Sequence, residues 1–276
     1  MRIFHTLGVL LYGSFIFLAQ PFNSKAKKWW QGRKNYWGQL PVFQSDNVIW
    51  FHCASLGEFD QGIPVMQALK AKDPTIFLVV TFFSPSGMEH YHKRQHVADW
   101  VGYLPLPTPK NAQRFIQHFQ PKKVFFVKYE FWDNFLASAQ KNNAETYCIS
   151  ANFRKNHRFF GTFGFLFRPT LFLFDKIFVQ NETSLKLLKN INYKNGILAG
   201  DTRIDKVLEN KQKIQKDDVV SKFLNGEKAI ILGSSWTVDE ELWKKYIDQN
   251  PQQKFIIAPH DISENHIQAI SKLFPQ

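Results

Sequence analysis

Val48-Ile49-Trp50-Phe51-His52-Cys53-Ala54-Ser55-Leu56-Gly57-Glu58 joins a short apolar run to a loop that opens a helical pattern, Leu56 to Lys72. Six consecutive apolar or aromatic positions bounded by a turn are the mark of a strand buried on both faces. The same grammar repeats down the chain. Apolar runs at Ile76–Thr81, Trp100–Leu104, Lys123–Val127, Thr146–Ser150, Lys176–Gln180 and Gly196–Ala199 read as strands. Helical patterns stand between them at Ser86–Arg94, Asn111–Phe119, Phe131–Lys141 and Thr183–Asn190. Strands alternating with helices build βαβ units and a parallel sheet. Residues 40–205 are therefore expected to form one doubly wound α/β domain.

Beyond it, Lys206–Glu227 is polar and charged, with Lys211, Lys213 and Lys216 close together, and reads as a helical linker. The βα pattern then restarts: Ala229–Leu232 and Phe255–Ala258 as strands, Val238–Tyr246 and Ile262–Phe274 as helices. Two βα units give a two-stranded sheet, and an open sheet usually needs more strands to be stable. Residues 206–276 are therefore expected to hold a linker and the start of a second, incomplete Rossmann-like domain.

On the other side, Ile3 to Phe22 is apolar apart from His5, Thr6, Ser14 and Gln20. A spanning helix needs about 20 such residues. Lys25, Lys27, Lys28, Trp29, Trp30, Arg33 and Lys34 follow directly. Cations after an apolar stretch favour the cytoplasmic side, and Trp favours the headgroup level. Residues 1–24 are expected to form an uncleaved membrane anchor, either spanning or lying in the interface. The catalytic domains would then face the cytoplasm at the inner membrane. A buried first helix of the domain is the structural alternative.

With 44% apolar residues, a disordered chain is excluded. Two cysteines, Cys53 and Cys148, exclude a disulfide framework and any multi-cysteine zinc site. Thirty-five Lys+Arg against 23 Asp+Glu give a net charge of +12, which calls for an anionic partner. Twenty-eight Phe suggest contact with lipid.

In open α/β sheets, ligands bind where strand ends lead into helix starts. The first such loop carries Ser55, Gly57 and Glu58. Gly57 lets a ligand approach the backbone, the helix start favours anions, and Glu58 is a candidate general base. Ser55 and Glu58 also have capping-box spacing, a purely structural use. The second loop carries Ser84, Ser86 and Gly87, hydroxyls at a helix start that suit an anion or a sugar. The third, Lys128-Tyr129-Glu130-Phe131-Trp132-Asp133-Asn134, sets a carboxylate beside two aromatics, which suits a sugar, with a capped helix and a buried Trp as the structural alternative. The fourth brings Asn152, Arg154, Lys155, His157 and Arg158 among Phe159, Phe160, Phe163, Phe165 and Phe167. Gly200-Asp201-Thr202-Arg203 and Gly233-Ser234-Ser235-Trp236 are possible phosphate cradles. His90, His92 and His96 lack the i, i+4 spacing of a helical metal site.

Taken together these loops resemble the Kdo (3-deoxy-D-manno-octulosonic acid) transferase family. Its loops are matched by Ser55-Leu56-Gly57-Glu58, Ser84-Pro85-Ser86-Gly87, Glu130-Phe131-Trp132-Asp133-Asn134, Asn152-Phe153-Arg154, Gly233-Ser234-Ser235-Trp236 and Ala258-Pro259-His260. The chain departs from the family at Lys128, where a glutamate is frequent, and at Pro259, where an arginine stands before the histidine. The family's later glycine-rich motifs, which hold CMP, are absent.

The resemblance implies a GT-B fold of two Rossmann-like domains behind an amino-terminal anchor. It implies inverting transfer of Kdo from CMP-Kdo to a lipid A precursor in lipopolysaccharide synthesis. No cofactor or metal is implied, CMP-Kdo being a co-substrate. Glu58 would be the general base. Arg154 would hold phosphates or the Kdo carboxylate. Gly200, Thr202, Arg203, Gly233, Ser234 and Ser235 would face CMP from the second domain, with His260 in the matched nucleotide segment. The chain by itself is expected to be inactive. A membrane-docked fragment that binds lipid A or anionic lipid, and a GT-B transferase with a UDP-sugar donor, are the alternatives. The anchor argues against a nucleic-acid partner.

Overall fold

The computed structural model describes residues 2–212 and 217–275, in two compact units divided between Lys211 and Gln212. Lys213 and Lys216 of the expected linker lie outside the described residues.

The first unit opens with α1 (Arg2–Ala19) and α2 (Ser24–Gln31). Then follow β1 (Val48–Cys53), α3 (Leu56–Lys72), β2 (Phe77–Phe82), α4 (Pro85–His90), β3 (Trp100–Tyr103) and α5 (Pro109–Phe119). After these come β4 (Lys123–Val127), α6 (Asp133–Lys141), β5 (Glu145–Ala151), α7 (Arg168–Leu171), β6 (Lys176–Val179), α8 (Glu182–Asn190), β7 (Gly196–Leu198) and α9 (Thr202–Gln212). The seven strands form one sheet in the order β3-β2-β1-β4-β5-β6-β7, and every pairing is parallel.

Strand alternation explains the two-sided core. On β1, Val48 and Trp50 join Val79, Val124 and Phe126 on one face, under Phe115, Ile116 and Phe119 of α5 and Phe135 and Leu136 of α6. Ile49, Phe51 and Cys53 join Leu78, Val80 and Val127 on the other, under Phe59, Ile63 and Met66 of α3. All six residues of β1 are buried, as expected of a central strand covered by helices on both faces.

The amino-terminal segment bears on the expected anchor. Among the described residues no single helix is long and apolar enough to cross a membrane. α1 has 18 residues, a rise of about 27 Å against a hydrocarbon core of about 30 Å. Only a pair bent by 117°, Thr6–Ala19 with Ser24–Gln31, passes by length and composition. One side of α1 packs on the domain. Val9 is buried, Gly13 lies against Leu106, and Asn134 Nδ2 donates to Thr6 Oγ1 at 3.2 Å. The opposite side leaves Leu7, Leu11, Phe15 and Leu18 exposed.

α2 is locked to the same edge by Arg33. Its guanidinium donates to the carbonyls of Leu104, Trp29 and Phe83 at 2.8, 3.1 and 2.9 Å. It also lies 3.7 Å from the Trp29 ring centroid. Burial pushes its pKa down to about 9.

The second unit contains α10 (Asp218–Leu224), β8 (Ala229–Ser235), α11 (Thr237–Gln249), β9 (Lys254–Pro259) and α12 (Glu264–Leu273). β8 and β9 pair in parallel as a two-stranded sheet. The stretch read as one linker thus contains two helices, α9 closing the first unit and α10 in the second.

Candidate functional site

The strand order reverses between β1 and β4: β2 and β3 are added toward one edge of the sheet, β4 onward toward the other, all strands remaining parallel. Such a switch point opens a crevice at the carboxyl ends of its two strands. A cavity of about 490 Å³ lies there, lined by Ala54, Glu58, Tyr129, Glu130, Trp132, His157 and Arg158, among others.

Glu58 stands in the first turn of α3, 16% exposed. Ser55 is the residue before the helix, but its side chain caps no backbone N–H. Its hydroxyl donates to the Glu58 carboxylate instead. The capping box allowed by the spacing is therefore not formed, and the carboxylate stays at the cavity wall. Lys128 Nζ lies 3.8 Å from Glu58 Oε1. Gly57 is exposed, and a Cβ there would meet only Ser55 Oγ, at 3.9 Å.

Behind the wall runs a buried polar chain. Trp50 Nε1 donates to Thr81 Oγ1 at 2.8 Å, and Thr81 Oγ1 lies 2.9 Å from His52 Nδ1. His52 and Thr81 are register partners on β1 and β2, which brings them together. His52 Nε2 then meets Glu130 Oε2 at 3.1 Å, and Trp132 Nε1 points at the same nitrogen from 3.2 Å. An aromatic path continues outward: Trp132 to Phe83 at 4.8 Å, Phe83 to Tyr12 of α1 at 5.8 Å. The amino-terminal helix is thus packed through two rings onto the wall of the cavity.

Tyr129 gathers the remaining charges. Burial raises its phenol pKa; Arg154 and Arg203 oppose the rise and Glu58 adds to it. On the far wall, burial lowers the His157 pKa and neighbouring Arg158 lowers it further. Beyond Arg158, whose guanidinium lies 5.5 Å from the Phe167 ring, Phe163 and Phe165 are exposed.

The other expected residues fall in three places. The Ser84 N–H donates to the Ala54 carbonyl at 2.9 Å, setting the second loop beside the first. Ser84 Oγ caps α4 by accepting from the Ser86 N–H, and the two hydroxyls lie 3.0 Å apart. Gly87 is buried, and a Cβ there would lie 2.1 Å from the Phe82 ring. Its missing side chain makes room for that ring, not for a ligand.

Gly200, Thr202 and Arg203 belong to the first unit, not to the second from which they were expected to act. Gly200 takes a left-handed φ of +81°, the Thr202 hydroxyl lies 2.9 Å from that of Ser150, and Arg203 pairs with Asp201. Gln61 of α3, one turn beyond Glu58, donates to Asp201 at 3.3 Å, so this segment borders the same sheet edge.

The second unit has its own cluster. Ser234 takes a φ of +56° at the end of β8, beside Gly233. Ser235 is turned inward and donates to buried Glu240 at 2.8 Å, which His266 Nε2 also meets at 3.1 Å. The His260 ring stacks on Trp236 at 4.5 Å. Among the described residues no three His, Cys, Asp or Glu side chains converge as a metal site.

Residues 28–206 match the family described as 3-Deoxy-D-manno-octulosonic-acid transferase (kdotransferase). The 3-deoxy-D-manno-octulosonic acid transferase of Aquifex aeolicus is 32% identical over 37% of this chain and 28% of its own length. That of Chlamydia trachomatis is 22% identical over 82% of this chain and 54% of its own. The chain thus spans about half or less of these curated relatives. Among solved structures, the Neisseria meningitidis UDP-GlcNAc 2-epimerase bound to UDP-GlcNAc overlays with a TM-score of 0.59. The overlay covers 82% of this chain and 68% of the epimerase at 16% identity, a likeness of fold with a GT-B-like neighbour.

Proposed function

Because the chain belongs to the 3-deoxy-D-manno-octulosonic-acid transferase (Kdo transferase) family, we propose that its protein transfers Kdo from CMP-Kdo to a lipid A precursor, with Glu58 as general base and inversion at the anomeric carbon. The observation that carries the reading is the place of Glu58. Its carboxylate lines the cavity at the sheet's switch point, beside Tyr129 and Glu130. In the step proposed, Glu58 takes the proton of the acceptor hydroxyl as that oxygen attacks the anomeric carbon. The bond from that carbon to the CMP phosphate oxygen breaks, and CMP leaves with the electron pair. Cations supply the complement to anionic substrates: Arg154, Arg203 and Arg158 stand around Tyr129 and the far wall.

The proposed setting is the cytoplasmic face of the inner membrane, with α1 lying in the interface. The exposed apolar side of α1 and the exposed Phe163 and Phe165 support that placement, as do exposed Lys25, Lys27 and Lys28 beside the helix. Gly233–Ser235 and His260 of the second unit are proposed to face the nucleotide.

Glu58→Gln in the full-length protein tests the reading. Transfer from CMP-Kdo should fall at least 100-fold, in the range general-base removal gives, with Tm within a few degrees of wild type. Transfer retained alongside a large loss of Tm would reduce Glu58 to a structural role. Competition by CMP but not by UDP separates this reading from a UDP-sugar transferase.

A further inference from the structure

We infer that Lys128 is an anion-binding residue, holding a carboxylate or phosphate of a substrate against Glu58. The inference deepens the functional reading above and rests on it. Four observations carry it.

Lys128 follows β4 directly, at the switch point, and is 26% exposed. Its backbone is left-handed, at φ +66°, a conformation that costs a side-chain-bearing residue energy and that glycine takes freely. The fold pins it there: the Lys128 N–H donates to the Ile149 carbonyl at 2.9 Å, and the Cys148 thiol donates to the Lys128 carbonyl at 3.1 Å. Its chain neighbours Val127 and Tyr129 line the cavity, so this strained backbone stands at the cavity's edge, where strain is worth a functional reading.

The ammonium is also uncommitted. Among the described residues the one acid it meets is Glu58, at 3.8 Å, beyond hydrogen-bond length. Of the other cations nearby, Arg203 is paired with Asp201 and Arg158 lies over the rings of Phe159 and Phe167, while Arg154 stands near Tyr129. Finally, Glu58 and Glu130 both line the cavity, and two carboxylates repel an anionic sugar. An ammonium with free N–H groups beside Glu58 offsets that repulsion where the reacting atoms must sit. The ligand group is an oxyanion, either the carboxylate of the transferred sugar or a phosphate of the acceptor.

Calorimetric titration of the full-length protein with two probes tests this and separates the sources. Free Kdo carries a carboxylate and no phosphate; glucosamine 1-phosphate carries a phosphate and no carboxylate. Lys128→Met should weaken one of them at least tenfold, and Lys128→Arg should stay within about threefold of wild type. A loss confined to Kdo assigns the sugar carboxylate, and a loss confined to glucosamine 1-phosphate assigns the acceptor phosphate. Lys128→Gly guards against misfolding: it relieves the left-handed strain, so Tm should hold or rise while binding drops as in the Met variant. Equal binding by wild type and both Met and Gly variants overturns the inference and leaves the Glu58 reading intact. Wild type binding neither probe overturns both.

Discussion

His52 Nε2 lies 3.1 Å from Glu130 Oε2 and 3.2 Å from Trp132 Nε1. A ring nitrogen cannot donate to the carboxylate and accept from the indole N–H at once. Its proton therefore selects which neighbour His52 holds. Thr81 accepts from Trp50 Nε1 and has both a hydroxyl proton and a second lone pair for His52 Nδ1. With Nδ1 accepting, the imidazole proton sits on Nε2 and faces Glu130; with Nδ1 donating, Nε2 accepts from Trp132. His52→Ala should leave Glu130, Thr81 and Trp132 without this partner and cost about 1–3 kcal/mol of stability. It should also lower kcat more than it raises KM, because Glu130 would lose its fixed place at the cavity wall. Thr81→Val should move kcat the same way, since it removes the partner of His52 Nδ1 as well as the acceptor of Trp50 Nε1. Steady-state kinetics and thermal melts on both variants check this; an unchanged kcat in both would make the chain purely structural.

Two glycines of the quoted loops separate packing from access. Gly87→Ala drives a methyl into the ring of Phe82, which is fully buried and cannot yield. A loss of about 1–3 kcal/mol is expected. Gly57→Ala meets open space in a helical first turn, so stability should hold or rise by up to about 1 kcal/mol. Transfer should nonetheless fall, because the methyl stands beside Glu58 where a substrate approaches. Paired melts and transfer assays decide it, and a Gly57→Ala protein with full activity would remove that loop from the binding surface.

Much of this arrangement was legible in the chain. The largely apolar β1 run points to a central parallel strand, and the loop rule leads to Glu58. The polar chain behind it was not legible. Trp50 and His52 alternate onto one face of β1, but their meeting with Thr81 depends on the β1–β2 register, which a linear pattern does not state. Lys128 was visible as a loop residue and as a departure from a family motif, but not as a neighbour of Glu58, because that nearness comes from packing α3 against the end of β4. How Ile3–Phe22 divides its apolar residues between domain and anchor was not legible for a related reason. Hydropathy counts apolar residues without saying that Val9 and Gly13 are already spent on the domain.

His157 gives the fold a pH dependence above the carboxylate range. Burial, then Arg158, holds its folded pKa below the ordinary 6.5. Burial does the same for His96. A base with a depressed folded pKa lets the unfolded chain bind the extra proton first, so the proton favours unfolding. Stability is therefore full above about pH 6.5, declines as pH falls below it, and levels off beneath the folded values. Tm measured from pH 7.5 to 5 should fall, in a window where Asp201, whose carboxyl is held low by Arg203, does not yet titrate. His157→Phe should flatten part of that slope. A wild-type Tm independent of pH across this window would contradict the depressed pKa of the half-buried imidazole.

The amino-terminal helix makes the sharpest physical test of the membrane setting. Leu7, Leu11, Phe15 and Leu18 follow one another at helical spacing and are all exposed, while Val9 of the opposite side is buried. An apolar strip of this kind, beside exposed Lys25 and Lys27, suits the proposed place in a headgroup layer. Vesicles containing anionic lipid should sediment the protein, and each nearby lysine should add about 1 kcal/mol at low salt. Raising the salt from 0.1 to 1 M shortens the screening length from about 10 to about 3 Å and should weaken the binding without abolishing it. Lys25→Gln with Lys27→Gln should remove most of the salt dependence. Leu11→Asp with Phe15→Asp should remove the salt-resistant part and leave Tm unchanged, because neither side chain is buried in the fold. Sedimentation by neutral and anionic vesicles alike, unmoved by the aspartates, would mean that α1 does not meet the bilayer.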